Sequence, residues 1–255
     1  MKHYLLRIAY DGTAYAGWQV QRNAVSIAGT IEERFLRVFG VPGQLLGASR
    51  TDAGVHAYDQ VAVLRTALTI PASRLHTALQ ASLPRDLSIR TCVDAPDGFH
   101  PQYNVLFKEY WYHLFLQQPL PFFARFGVVL PEYMQGFDSA LFARTLALFE
   151  GTHNFSSFAR VDEGYEPVRS VQSIQVVPLA RYGVLRVVVR AEGFLRYQVR
   201  RMVGAGLMVA RTQSSITLDD IAGFLRIPQQ TSPAFFTAPP EGLCLRRIVY
   251  KKEIV

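Results

Sequence analysis

Two kinds of hydrophobic pattern alternate along the chain. Stretches in which apolar side chains occupy every second position, or follow one another without interruption, predict β-strands. Such stretches are found at residues 4–10, 60–65, 87–93, 108–117, 171–177 and 184–191. Between them, apolar residues recur at spacings of three and four, which predicts helices with one buried face. The alternation of both patterns favours an α+β fold.

Capping residues set the limits of the predicted helices. Thr30 and Glu33 form a capping-box pattern that predicts a helix start, and Gly40 is typical of the residue that ends a helix. Pro71 is typical of the first turn of a second helix. Later caps predict a helix from Asp138 to Gly151 and a short helix that begins at Thr217 with Asp220.

The order of these elements divides the chain into two similar halves. The first half follows the order strand, helix, strand, strand, helix, strand, and the second half repeats this loosely. We therefore predict two α+β domains, residues 1–105 and 106–255, each a mostly antiparallel sheet with helices on one face.

Composition and charge narrow the class of protein. The chain has 255 residues, of which 49% are hydrophobic and 18% charged, as is typical of a folded protein. Its formal net charge is +7, which favours a polyanionic partner such as nucleic acid. Ordinary enzymes can be equally basic, so the charge by itself does not decide the function.

The cysteines and the N-terminus predict a cytoplasmic protein. Cys92 and Cys244 are far apart and lie in apolar, strand-like runs, so we expect buried thiols in a reducing compartment. The first apolar run is short and is interrupted by Arg7, unlike a signal peptide. No stretch is long enough to predict a membrane span.

Polar residues are concentrated in the stretch LGASRTDAGVHAYDQ, residues 46–60. Gly54, two residues after Asp52, predicts a tight turn with positive φ that presents the carboxylate between two strands. Core packing explains such a stretch poorly. From the residues alone, a functional carboxylate and an ordinary turn with Arg50 and Asp52 as a solvated pair both remain open.

The segment RTDAGVHA within this stretch resembles the active-site signature of the tRNA pseudouridine synthase A (TruA) family. An ungapped match of this length is specific. The resemblance implies that Asp52 is the catalytic residue and that Arg50 helps to displace the target nucleotide. The stretch YDGTAYAGWQVQ also resembles the opening motif of the family.

Three later motifs extend the resemblance over nearly the whole chain. KEYWYHL implies that Tyr110 stacks on the target base, with Lys108 as the basic residue before it. GFLRYQVRRMVG implies that Arg200 pairs with Asp52 and keeps it ionised. APPEGL implies apolar contact to the base from Leu243 or Leu245.

The resemblance implies a full functional description. The expected reaction is isomerisation of uridine to pseudouridine at positions 38 to 40 of the tRNA anticodon stem-loop, by a homodimer. It implies that the two halves meet at a central RNA-binding cleft. The sequence departs from the family pattern at several positions, namely Glu32, Glu33, Ser49, Gln102 and Asn104.

Two alternatives come from other classes of protein. One is a noncatalytic RNA-binding or RNA-folding protein on the same scaffold. The other is a glycosidase with Asp52 and Asp59 as its pair of carboxylates. The sequence has no phosphate-binding GxxxxGK[ST] loop, no GxGxxG, no paired CxxC and no HExxH, and its six histidines are scattered. We therefore expect no metal and no organic cofactor.

Overall fold

The computed structural model describes residues 1–129, 136–211, 214–228 and 235–252. The chain divides into two compact units, one formed by Met1–Leu106 with Cys244–Val255 and the other by Phe107–Leu243. The chain passes from the first unit to the second between Leu106 and Phe107, beside the boundary expected near residue 105. The C-terminal segment, however, belongs to the first unit, whereas the sequence assigned it to the second.

The first unit contains a mostly antiparallel sheet. Its strands include β1 (Lys2–Tyr10), β2 (Gly43–Gly47), β3 (His56–Thr66) and β4 (Leu87–Asp94). β1 pairs antiparallel with both β3 and β4, and β2 pairs antiparallel with β3. The buried side chains of β1 on both faces make it a central strand.

The last strand, β9 (Leu243–Tyr250), joins this sheet from the far end of the sequence. It runs parallel to the start of β3, with His56 opposite Cys244 and Ala57 opposite Leu245. Strands joined by a hairpin can be paired from local sequence signals, but a parallel partner so distant in sequence cannot. This explains why sequence patterns placed residues 243–250 in the wrong half.

Two helices belong to the first unit, α1 (Ile27–Phe39) and α2 (Ala72–Ser82). The predicted start of α1 at Thr30 is wrong, because Ser26 is the cap and its hydroxyl accepts from the Gly29 N–H. The helix extends upstream because Ile27 continues its buried face. Its end is as predicted, with Gly40 at φ +69°.

The second unit has a fully antiparallel arrangement of its own strands. These are β5 (Val105–Phe115), β6 (Gly151–Asn154), β7 (Val168–Leu179) and β8 (Val184–Ala191). β8 lies between β5 and β7, and β6 pairs with the other side of β7. Short 3₁₀ turns are found at Ala124–Phe126, Ser156–Phe158, Ala180–Tyr182 and Pro240–Gly242.

In the described part of the second unit the helices are α3 (Ser139–Ala147), α4 (Gln198–Ala210) and α5 (Leu218–Arg226). The predicted Asp138 cap and the predicted capping box at Thr217 and Asp220 are both confirmed. α3 ends four residues before the predicted Gly151, in a series of tight turns through residues 148–150.

α4 is buried along most of its length and packs against α3. A Cβ at Gly206 would lie 2.9 Å from the Phe142 ring, so a glycine allows the two helices to approach closely. Together, the two units confirm the predicted α+β class with mostly antiparallel sheets. No helix within the described part of the chain is both long and apolar enough to cross a bilayer.

Candidate active site

The loop between β2 and β3, residues 48–55, carries Arg50 and Asp52. Gly54 adopts φ +77°, which confirms the predicted tight turn, and the Val55 N–H donates to the Asp52 carbonyl at 3.2 Å. Asp52 is half-buried and Arg50 is exposed. The backbone of the loop is therefore fixed while both side chains remain within reach of solvent.

The end of β1 supports this loop from one side. The hydroxyls of Tyr10 and Thr51 lie 2.8 Å apart in the interior. The Gly12 N–H donates to His56 Nδ1 at 3.1 Å, so this ring nitrogen acts as an acceptor. A Cβ at Gly12 would lie 2.0 Å from the Val55 carbonyl oxygen, closer than any side chain permits. Position 12 therefore requires glycine.

The segment after β1 folds over the same loop. The Trp18 N–H donates to the Thr51 carbonyl at 3.1 Å, and the Gly54 N–H donates to the Tyr15 carbonyl at 3.2 Å. The Trp18 ring is 2% exposed and packs on Gly47, where a Cβ would lie 2.5 Å from it. Trp18 thus acts as a core anchor for the loop.

The other side of the loop is held by two glutamine side chains. The Gln60 amide is fully buried, accepts from the Ser49 N–H at 3.2 Å and donates to the Ser49 carbonyl at 2.6 Å. The Gln102 amide donates to the Gly47 carbonyl at 3.0 Å. Ser49 and Gln102, two departures from the family pattern, are therefore both part of the loop's support.

Leu245 lies in the same unit as this loop. It is fully buried on β9, opposite Ala57 at the start of β3. The structure thus places Leu245 beside the strand that follows the Asp52 turn, a position that a local sequence pattern does not reveal.

Tyr110 lies in the second unit, on β5. Its side chain is 5% exposed and meets the Phe194 ring edge-on, with ring centroids 5.4 Å apart. Burial lowers the pKa of Lys108, two residues earlier, to about 8, although Glu192 opposes the shift.

Arg200 also lies in the second unit, in the first turn of α4. Its Nε donates to the Ala238 carbonyl at 2.7 Å, and the Ala238 N–H donates back to the Arg200 carbonyl at 3.2 Å. Burial and Glu241 raise the pKa of Tyr112, while Arg200 opposes this rise. Arg200 therefore occupies a fixed position.

The segment 235–242, which contains APPEGL, interlocks with α4 and β5. The Tyr112 hydroxyl donates to the Pro239 carbonyl at 2.9 Å. A Cβ at Gly204 would lie 1.7 Å from the Phe236 carbonyl oxygen, and one at Gly242 would lie 2.5 Å from the Tyr112 ring. The glycines in both motifs thus permit the close contact between them.

Arg196 lies just before the helix that carries Arg200. α4 begins at Gln198, and Tyr197 stands before it with φ +64°. The Arg196 guanidinium donates to the Tyr197 hydroxyl at 3.0 Å.

Sequence reasoning missed an ion pair on β3. Arg7 Nε donates to Asp59 Oδ1 at 2.9 Å, and a second guanidinium nitrogen of Arg7 bonds Oδ2. The Asp59 side chain is only 3% exposed. A carboxylate held in this way is a poor candidate for the second acid of a glycosidase, so this alternative loses its main support. A signal existed in the sequence, since an aspartate within an apolar strand needs a partner.

The predicted site residues thus fall into two groups. Arg50, Asp52 and Leu245 lie in the first unit, and Tyr110 and Arg200 lie in the second. In the residues that the structure describes, no three or more histidine, cysteine, aspartate or glutamate side chains are grouped so that they could hold a metal ion.

Comparison with known proteins decides the family. The sequence model of one family, described as tRNA pseudouridine synthase, matches residues 7–104 and 146–251. This chain belongs to that family. The resemblance that the motifs indicated is thereby confirmed, and the matched ranges include the Asp52 loop, Arg200 and Leu245.

Individual relatives agree over nearly the full length. The chain is 37% identical to tRNA pseudouridine synthase A 1 of Protochlamydia amoebophila, over 99% of this chain and 98% of the relative. It is 32% identical to tRNA pseudouridine synthase A of Thermodesulfovibrio yellowstonii, over 98% of this chain and all of the relative. Among solved structures, the archaeal box H/ACA sRNP Nop10–Cbf5 complex matches with a TM-score of 0.35 and 12% identity, over 93% of this chain and 58% of that chain.

Proposed function

We propose that this protein isomerises uridine to pseudouridine in the anticodon stem-loop of tRNA, at positions 38 to 40, with Asp52 as the catalytic carboxylate. The observation that carries the proposal is the Asp52 loop itself. A half-buried carboxylate stands on a turn whose backbone is bonded on both sides, in a chain of the tRNA pseudouridine synthase family. Fixed geometry of this kind is what a reacting group requires.

The reaction needs one ionised carboxylate. The glycosidic C–N bond must break, the uracil must turn while it is held, and a C–C bond must form to the same sugar carbon. Asp52 could either attack the anomeric carbon or remove a proton from the neighbouring sugar carbon, and both routes begin from the carboxylate. The hydrogen on uracil C5 leaves to solvent when the new bond is made.

Access to the base requires that the nucleotide leave its stack, which costs a few kcal/mol. We assign this step to Arg50, because its side chain is exposed two residues before Asp52 and can occupy the vacated space. For the extruded base we propose stacking on Tyr110 and apolar contact with Leu245. Their burial in the free protein is consistent with a pocket wall.

For Arg200 we propose the role of keeping Asp52 ionised. An arginine suits this role because its charge is permanent and its fork can bind both carboxylate oxygens. Arg200→Gln should therefore raise the pH at which activity falls on the acidic side, in addition to lowering the rate. A rate loss with an unchanged pH profile would assign Arg200 to RNA binding alone.

The decisive experiment measures tritium release from tRNA labelled at uracil C5. Wild type should release tritium, whereas Asp52→Asn should release none and still bind the tRNA. Asp97→Asn, the same substitution at an exposed loop position, serves as the matched control and should behave as wild type. Tight tRNA binding by wild type without release from any tRNA would instead support the noncatalytic RNA-binding protein.

The partner and compartment follow from the same proposal. We propose a homodimer that acts on tRNA in the cytoplasm. Sedimentation of the protein alone and with tRNA measures the assembly directly, and a monomer in both states would contradict the dimer.

A further inference from the structure

A cavity of about 370 Å³ opens in the first unit among arginine side chains. None of the residues that line it is among those assigned above to the reaction. The side chains that line it come from β1, β3, β4 and β9, and they are Arg7, Tyr58, Asp59, Arg90, Thr91, Arg246 and Arg247. Four guanidinium groups and one carboxylate thus share one small space, which leaves three positive charges in excess among its lining residues.

Within this arginine pocket, Asp59 contacts two of the four arginines. Its buried carboxylate is bonded by Arg7 on both oxygens, and Arg90 reaches within 3.6 Å of Oδ1. The hydrogen bonds that Arg7 donates to Asp59 raise the pKa of Arg7, against the opposing effect of burial. Among the side chains that line the pocket, one carboxylate thus faces four guanidinium groups.

Two arginines of the pocket stack on the ring of Tyr58. Its ring is 47% exposed, and the guanidinium carbons of Arg90 and Arg246 lie 4.4 and 4.2 Å from its centroid. Contact with an aromatic ring holds a guanidinium group without consuming its hydrogen-bond donors. Stacking on Tyr58 therefore fixes the orientation of both guanidinium groups.

Guanidinium groups gathered in one pocket can bind an anion jointly. The guanidinium fork matches the oxygens of a phosphate group, and several such forks in one pocket match a run of phosphates. Tyr58 follows Asp52 by six residues, so it lies at most about 20 Å away along an extended chain. An RNA with a nucleotide at Asp52 is long enough to reach the pocket.

We propose that the arginine pocket binds backbone phosphates of the substrate RNA, at nucleotides other than the target uridine. This inference rests on the proposed function, from which it takes the identity of the RNA. The pocket adds affinity and positions the RNA, and it takes no part in the chemical step. Its contribution is consequently electrostatic and depends on salt.

The test compares Arg90→Gln/Arg246→Gln with Arg37→Gln, which removes charge at an exposed position in the last turn of α1. Affinity for unmodified tRNA is measured over a range of salt concentrations. The double variant should bind roughly tenfold more weakly near 0.1 M salt, and its slope of log affinity against log salt should decrease by about one to two. The rate of tritium release at saturating enzyme should be unchanged.

A second variant separates charge from folding. Arg90→Lys/Arg246→Lys keeps both charges, so it should restore most of the salt slope but not the full affinity. Affinity and slope equal to those of Arg37→Gln would overturn the proposal. It would also be overturned if the double glutamine variant lost binding of inorganic phosphate while tRNA affinity stayed unchanged, because the pocket would then serve a free anion.

Failure of the proposed function can be distinguished from failure of the arginine-pocket proposal. If wild type releases no tritium from any tRNA, the enzymatic proposal fails, whereas the comparison of tRNA affinities still reports on the arginine pocket.

Discussion

The Tyr10 hydroxyl lies 2.8 Å from the Thr51 hydroxyl, one residue before Asp52. This buried bond connects the end of β1 to the loop between β2 and β3. Backbone bonds from Trp18 and Gly54 connect the following segment to the same loop. The position of Asp52 is therefore set by contacts from a segment some forty residues earlier in the sequence.

Tyr10→Phe should lower activity because it removes the partner of the buried Thr51 hydroxyl. We expect kcat to fall about tenfold with little change in KM, and stability to fall by about 1–2 kcal/mol. Tyr250→Phe is the control, since it removes a buried bond to the Pro101 carbonyl and should lower stability without the loss in kcat. Equal kcat values in the two variants would contradict this role for Tyr10.

Glycine-to-alanine substitutions at two helix positions should change the stability of the protein in opposite directions. At Gly204 in α4, a Cβ would lie 1.7 Å from the Phe236 carbonyl oxygen, so Gly204→Ala should destabilise strongly and displace the segment 235–242. At Gly223 in α5, an added Cβ would meet no atom within 4 Å apart from its chain neighbours and the backbone of its own helix, so Gly223→Ala should stabilise by about 0.5–1 kcal/mol. Thermal unfolding measures both, and a shift of the same sign would show that the contact at Gly204 is not tight.

Lys108 should make stability depend on pH. Its pKa in the folded protein is lowered to about 8, while an unfolded lysine keeps its proton to about 10.4. Between these values the folded state binds fewer protons, so the stability that Lys108 costs at neutral pH is regained as the pH rises. Compared with Lys108→Met, wild type should gain about 1–2 kcal/mol from pH 8 to pH 10 in denaturant unfolding. Parallel stability curves for the two proteins would rule this out.

Cys92 should be an unreactive thiol. Burial raises its pKa to about 12, with a smaller contribution from Asp94, so almost no thiolate exists near pH 8. In a Cys244→Ala background, iodoacetamide should modify native Cys92 roughly a hundredfold or more slowly than the unfolded chain. Rapid alkylation of the native protein would contradict the burial of this thiol.

Local signals predicted most of the fold. Period-two patterns located the strands, and the caps at Asp138 and Thr217 were correct because each is a short-range contact. The start of α1 was wrong because Ser26 and Thr30 are both acceptable caps, and only the burial of Ile27 decides between them. The assignment of β9 failed because its partner strand is specified by tertiary packing.

The residues of the candidate site were predicted from family motifs rather than from the hydrophobic pattern of the chain. The turn at Gly54 and its exposed arginine could be anticipated, and the motifs named Tyr110 and Arg200. The arginine pocket could not be predicted from the sequence. Its residues Arg7, Asp59, Arg90 and Arg246 lie on four different strands and become neighbours only through sheet pairing. Each of these arginines alone is typical of a solvated strand position.

The pairing of β9 with β3 has a consequence for synthesis on the ribosome. The strand that follows the Asp52 turn gains its parallel neighbour from residues 243–250, which emerge only after the whole of the second unit. The first unit therefore cannot complete its sheet until the second unit has been synthesised. A nascent chain carries the Asp52 turn without Leu245 beside it for all of that time, so the second unit can fold before the first unit is complete.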